Sequence, residues 1–162
     1  MRALFSRKKW LAASVGVVVI GTLVAVALGS PGSGVTATNF VTANLDHTVS
    51  LNSDGVKLKT KAATDVRVQR LDFAAGSFTG WHHHPGIVIV AVESGALTLW
   101  DSDCNSNTYG PGLPDGAVFV EGGDNPREAT SASGATVYVT YVAPSADPPV
   151  FRLEDADLGR CT

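Results

Sequence analysis

The chain has 162 residues, with 12 lysines and arginines against 15 aspartates and glutamates, and four histidines. Four of the basic residues, Arg2, Arg7, Lys8 and Lys9, lie at the extreme N-terminus; beyond Ser30 eight basic residues face all fifteen acids, a net charge of −7 with the histidines neutral. That balance excludes a nucleic-acid-binding role, which needs basic patches, and the roughly 130 residues after Ser30 suit one domain with one core.

Trp10 to Leu28 is an uncharged run of 19 residues behind the basic cluster. As a helix it would span roughly 28 Å, close to the ~30 Å hydrocarbon core of a bilayer. Basic residues before an apolar run predict residues 1–29 to be a signal peptide or an uncleaved N-terminal membrane anchor. The rest is then secreted, or held outside the cytoplasm with the membrane met only through this segment. Ser30-Pro-Gly-Ser-Gly34 reads as a spacer. Residues 30–40 form the linker and the approach to the first strand, residues 41–155 the folded barrel, and residues 156–162 a C-terminal tail.

After Ser30 there is no helical periodicity. Short apolar alternations separated by Gly, Pro and Asp turns predict an all-β domain, an antiparallel sandwich or barrel. Val35 to Leu45 is the first strand-like segment, and His47 beyond it is expected to be solvated. Asn52-Ser-Asp-Gly55 is a turn. It leads into a half-wet strand with Lys57, Lys59 and Lys61 on one face, an edge protected by charge. In Asp65 to Phe73, Val66 and Val68 fall on one face and Leu71 and Phe73 on the other, which predicts a bulge near Gln69–Arg70. Ile87 to Val92 is apolar on both faces and is expected to be buried on both. A turn at Glu93–Gly95 would pair it with Ala96 to Trp100. Ala117 to Val120 is a short core strand, and Val137, Val139 and Tyr141 share a face of the next. Phe151 to Leu153 reads as an edge strand, and Glu154, Asp155 and Asp157 as a solvated tail.

Cys104 and Cys161 are the only cysteines. In an exported chain an even count favours a disulfide, which would strap the tail across the domain.

Chemistry concentrates in Gly80-Trp-His82-His83-His84-Pro85. In a strand, His82 and His84 share one face and His83 takes the other. Pro85 keeps His84 extended. Two imidazoles on one face can reach a single ion, here a divalent transition metal such as Fe, Mn, Zn, Ni or Cu. The alternative is an exposed strand end whose histidines bind nothing.

The spacing Gly76, five residues, His82, one residue, His84, and later Gly95, resembles the first motif of the cupins. Tyr109 to Glu128, with its Pro114-Asp-Gly116 turn, is similar to their second motif. The resemblance covers roughly Asp65 to Ala143 and implies a double-stranded β-helix barrel of the jelly-roll type. It also implies metal-dependent chemistry on a small molecule, such as oxygenation or isomerisation, and a homodimer paired through the sheets. Two ligands of the family's three-His, one-Glu set are missing. The Glu position of the first motif falls on Val88, and the His of the second has no counterpart. Glu128, in that neighbourhood, is the expected substitute, completing a triad of His82, His84 and Glu128. A competing reading is a metal-free module, with Trp81, Phe78 and Tyr109 lining the barrel mouth around a small apolar or sugar-like ligand.

Overall fold

The computed structural model describes residues 31–161, and the expectation for residues 1–29 lies outside them. Among the described residues every regular element is a strand, ten in all. The chain begins with β1 (Ser33–Leu45), β2 (Ser50–Ser53) and β3 (Val56–Lys59), followed by β4 (Thr64–Phe78) and β5 (His82–Gly95). Two short strands, β6 (Leu97–Asp101) and β7 (Ser106–Tyr109), precede the long β8 (Val118–Ser131) and β9 (Ala135–Pro144); β10 (Leu153–Glu154) ends the series.

The main sheet is antiparallel in the order β1-β4-β9-β5-β8-β6-β7, with β10 on the edge of β5. The far end of β4 also pairs with β8, Ser77 opposite Ser131 and Phe78 opposite Thr130, so the sheet closes on itself as a barrel. This architecture is consistent with the jelly-roll expectation.

Alternation explains the interior. Val88, Val90 and Val92 of β5 are buried, as are Val137, Val139 and Tyr141 of β9, and Phe73, Phe119, Leu97 and Phe151 pack with them in the core. Each such side chain contributes about 2 kcal/mol through the surface it removes from water. His82 and His84 have the same parity as Val88 and Val90 and are equally buried. The strand that builds the core therefore carries both imidazoles inward.

Several expectations are corrected. Ile87 and Ile89 are 53% and 42% exposed, so β5 is buried on one face only. β5 and β6 do not form a hairpin: β5 runs on through Glu93 to Gly95 and pairs with β9 and β8, while β6 pairs with β7 and β8. Gly95 passes so close to β9 that a Cβ there would sit 2.1 Å from the Gly134 carbonyl oxygen. No bulge interrupts β4 against β9, whose register is unbroken from Thr64 to Phe73; against β1 the register shifts twice, between Asn39 and Val41 and between Ser33 and Val35.

The lysine-bearing segment is not an edge of the barrel. β2 and β3 make a separate two-stranded hairpin, exposed throughout. Its turn residues Asp54 and Gly55 both take positive φ, 49° and 84°, the geometry that two-residue hairpin turns demand.

The expected disulfide joins Cys104 to Cys161 across 57 residues. The tail is further tied by Trp81, whose indole N–H donates to the Gly159 carbonyl (2.8 Å). Asp155 is not solvated: its carboxylate meets His83 Nδ1 at 2.9 Å, and its backbone N–H donates to the Trp81 carbonyl.

Candidate metal centre

The His82 ring donates from Nδ1 to the Gly80 carbonyl (2.8 Å), and the His84 ring from Nδ1 to the Phe151 carbonyl (2.6 Å). A carbonyl oxygen can only accept, so the proton of each neutral ring sits on Nδ1 and each Nε2 keeps its lone pair. The two rings are 4.9 Å apart and nearly perpendicular. Holding the outer nitrogen on a carbonyl is the usual way a protein orients a metal-ligating histidine.

The third member is Glu121, not Glu128. Glu121 shares the inward face of β8 with Phe119 and lies opposite Val88 of β5. Its Oε1 is 3.5 Å from His84 Nε2, and its Oε2 is buried without a hydrogen-bond partner. One ligand atom each from His82, His84 and Glu121 lies within 4.8 Å of the others. Some point then lies within about 2.8 Å of all three atoms, against about 2.1 Å for a metal–nitrogen or metal–oxygen bond. A small inward adjustment would bring all three onto one ion.

The electrostatics favour a cation here. The Nε2 atoms of two histidines and a carboxylate converge here, and an unpartnered buried carboxylate oxygen is costly. Burial drives the His82 pKa down to about 3, helped by the Arg152 guanidinium and His84 and opposed by the Gly80 hydrogen bond and Glu121. The ring is therefore neutral at ordinary pH, the state a ligand requires. Tyr141, packed on His84 at 5.6 Å between rings, has its phenol pushed up to about 12, chiefly by burial and then by Glu121. It stays protonated, its hydroxyl donating to Gln69 Oε1 (3.1 Å). The cavity is about 40 Å³, walled mostly by apolar core side chains. Besides an ion it has room for only a few water-sized groups.

Two glycines let β8 deliver Glu121. A Cβ on Gly122 would meet the Gly86 carbonyl oxygen at 1.9 Å, and one on Gly86 would meet the Val142 carbonyl oxygen at 2.1 Å. Gly122 also has a φ of +146°. The strands pinch together here, and the pairing shifts between His84 and Ile87.

Glu128 points elsewhere because its neighbour Ala129 lines the histidine cavity, and adjacent residues of a strand take opposite faces. It is buried in a separate pocket of about 260 Å³ with Trp100, Ser77 and Arg160 under the C-terminal tail. Burial raises its pKa, Asp157 raising it further and Arg160 opposing. Of the three aromatic residues expected at the barrel mouth, none lines the histidine cavity, while Phe78 lines the larger groove that adjoins it. Trp81 is 1% exposed and pins the tail, Phe78 lies under the Arg160 guanidinium (3.8 Å), and Tyr109 packs on Phe119 and lines an outer cleft. His83 takes the opposite face, as alternation requires, but meets Asp155 of its own chain. His47 is exposed beside Asp46, as expected of a solvated residue.

Glu121 was legible in principle. Val118, Phe119, Val120 and Glu121 alternate, so Glu121 must share the core face of Phe119. Ending the strand at Val120, before the two glycines, hides it.

No family model matches the chain, and neither does any curated protein. Among solved structures it is similar to a cupin superfamily protein of Desulfitobacterium hafniense (10% identity, TM-score 0.48), over 72% of this chain and 84% of that one. It is also similar to an oxalate oxidase (24% identity, TM-score 0.39; 46% of this chain, 40% of that one). A third is the salicylate 1,2-dioxygenase of Pseudoaminobacter salicylatoxidans, studied with gentisate adducts (14% identity, TM-score 0.46; 67% of this chain, 25% of that one). The chain thus spans less than half the length of either enzyme. The similarity is to proteins that include a member of the cupin superfamily, the family whose motifs the stretches around His82–His84 and Pro114–Gly116 resemble.

Proposed function

We propose that this chain is a cupin-type barrel that holds a divalent transition metal at His82, His84 and Glu121 and uses it to bind or transform a small molecule. The observation that carries the reading is the buried, unpartnered oxygen of Glu121 facing two histidine lone pairs. Two histidines and one carboxylate leave coordination positions open, as in many non-haem iron(II) sites. When bound, such an ion supplies Lewis acidity and activates water or oxygen.

The chain's own groups do the rest. The Gly80 and Phe151 carbonyls hold both rings in the ligating tautomer. The apolar walls from β5 and β9 exclude bulk water. Tyr141 keeps a protonated hydroxyl beside the site. The histidine cavity itself suits an ion rather than an organic ligand, since it is far below the roughly 300–1,000 Å³ of organic-ligand sites.

The test is elemental analysis of purified residues 30–162. Bound metal should be near one equivalent in wild type and fall sharply in His82→Ala, His84→Ala and Glu121→Gln, while Glu128→Gln keeps it. Equal metal content in wild type and the histidine variants would end the proposal.

Export through residues 1–29, whether as a cleaved signal or a retained anchor, belongs to the same proposal. The disulfide supports it, since such bonds persist in oxidising compartments. A homodimer through the outer sheet face is supported by exposed Ile87, Ile89, Val118 and Val120, with Ile89 opposite Val120 on adjacent strands. Such a contiguous apolar strip on a monomer calls for cover, and sedimentation at micromolar concentration distinguishes dimer from monomer.

A further inference from the structure

A groove of about 550 Å³ runs between β1, β4 and the segment before β10. It shares Leu71, Thr79, Tyr141 and Arg152 with the wall of the histidine cavity, so the two spaces adjoin. Among the described residues the only charged side chains along it are two arginines, Arg67 and Arg152. Arg67 reaches this surface because the face of β4 that carries Leu71 and Phe73 inward also carries Arg67 and Gln69. Its Nε donates to Thr42 Oγ1 (3.1 Å), and its guanidinium lies 4.2 Å above the Phe151 ring, leaving both terminal nitrogens without partners among the described residues. Arg152 is partly committed: Nε and one terminal nitrogen hold Glu154 (2.6 and 2.8 Å), and that same nitrogen donates to the Thr79 carbonyl (2.7 Å). Its other terminal nitrogen has no partner among the described residues.

We propose that this groove admits a small organic carboxylate, its charge held by Arg67 and Arg152 and its apolar body laid along Val35, Pro149 and Val150. The inference rests on the metal reading for where the ligand goes, but the groove stands on its own residues. Guanidinium forks match carboxylate geometry, and more than half of the groove's lining is apolar, which favours an aliphatic or aromatic body. Charge balance points the same way. Two neutral imidazoles and one carboxylate around a divalent ion leave one positive charge, which an anionic ligand cancels.

The experiment titrates benzoate, benzamide and inorganic phosphate into the protein in metal-free and cobalt(II)-loaded forms, followed by calorimetry and, for the loaded form, the visible spectrum. Benzoate is expected to bind, with benzamide and phosphate weaker by about tenfold or more, the factor expected for a charge-assisted pair. Arg67→Gln should weaken benzoate about tenfold without changing metal content, and Arg67→Lys should recover part of the loss. Arg152→Gln, with its folding checked by circular dichroism, should act in the same direction.

Benzamide binding as tightly as benzoate, or Arg67→Gln leaving benzoate affinity unchanged, overturns the proposal. So does a preference for phosphate, or absence of binding at millimolar benzoate. Failure of the metal reading looks different: no cobalt is retained, yet the metal-free protein still binds benzoate through Arg67.

Discussion

At the scale of single residues, Glu121 has opposite effects in the two states of the site. Without a cation its buried oxygen lacks a partner, and removing an uncompensated charge relieves that cost. Glu121→Gln should therefore leave the metal-free protein as stable as wild type or more so, while weakening metal binding at least tenfold. Calorimetric melting with chelator and with added zinc checks both halves. His82 makes a pH prediction. Its folded pKa of about 3 lies below the ordinary histidine value of 6.5. Between these limits the unfolded chain binds a proton that the folded chain refuses, so stability rises with pH across this window and falls on acidification. The metal-free melting temperature should drop between pH 6.5 and 4, and His82→Gln should flatten that slope. An identical slope in the variant would show that other groups set the acid limit.

At the scale of elements, the site depends on β5 and β8 keeping alternation through a pinch. Val88 and Val90 are core residues whose face His82 and His84 continue, so packing of β5 positions both rings. On β8, Gly122 absorbs a positive φ and passes within contact of the Gly86 carbonyl. Gly122→Ala adds a clash and backbone strain together, expected to cost about 2–4 kcal/mol. Because Glu121 is the adjacent residue, metal affinity should fall with it. Urea unfolding and metal titration on the same variant measure the two effects, and a loss of stability with unchanged affinity would separate them.

At the scale of the whole molecule, the C-terminal tail is fastened to the barrel wall behind the histidines. The disulfide, the Trp81–Gly159 hydrogen bond and the His83–Asp155 contact all serve this. Closing a 57-residue loop is worth about 4 kcal/mol in the chain-entropy model. Cys104→Ser with Cys161→Ser should lower the melting temperature by many degrees. Tail contacts should loosen first, seen as faster amide exchange at Gly159 and Asp155. Equal melting of oxidised and reduced protein would place the stabilisation elsewhere.

Much of this was legible in the chain. Period-two patterning dictates strands, and Gly, Pro and Asp dictate turns, because both signals are local; the all-β class and the shared face of His82 and His84 followed from them. The pairing of Cys104 with Cys161 followed from a count of two together with the expected export. What only tertiary structure decided is which distant residues meet. Glu121 rather than Glu128 joins the histidines because β8 runs on past Val120 beside β5, with Phe119, Glu121 and Ala129 on its inward face and Glu128 on the other. Arg67 and Gln69 line the outer groove on the same face of β4 as Leu71 and Phe73, with no bulge against β9, where the apolar positions Val66 and Val68 predicted one. Ile87 and Ile89 face out because a strand's apolarity does not say how many layers will cover it. These are questions of register and closure, set by contacts between segments far apart in sequence, and no local pattern encodes them.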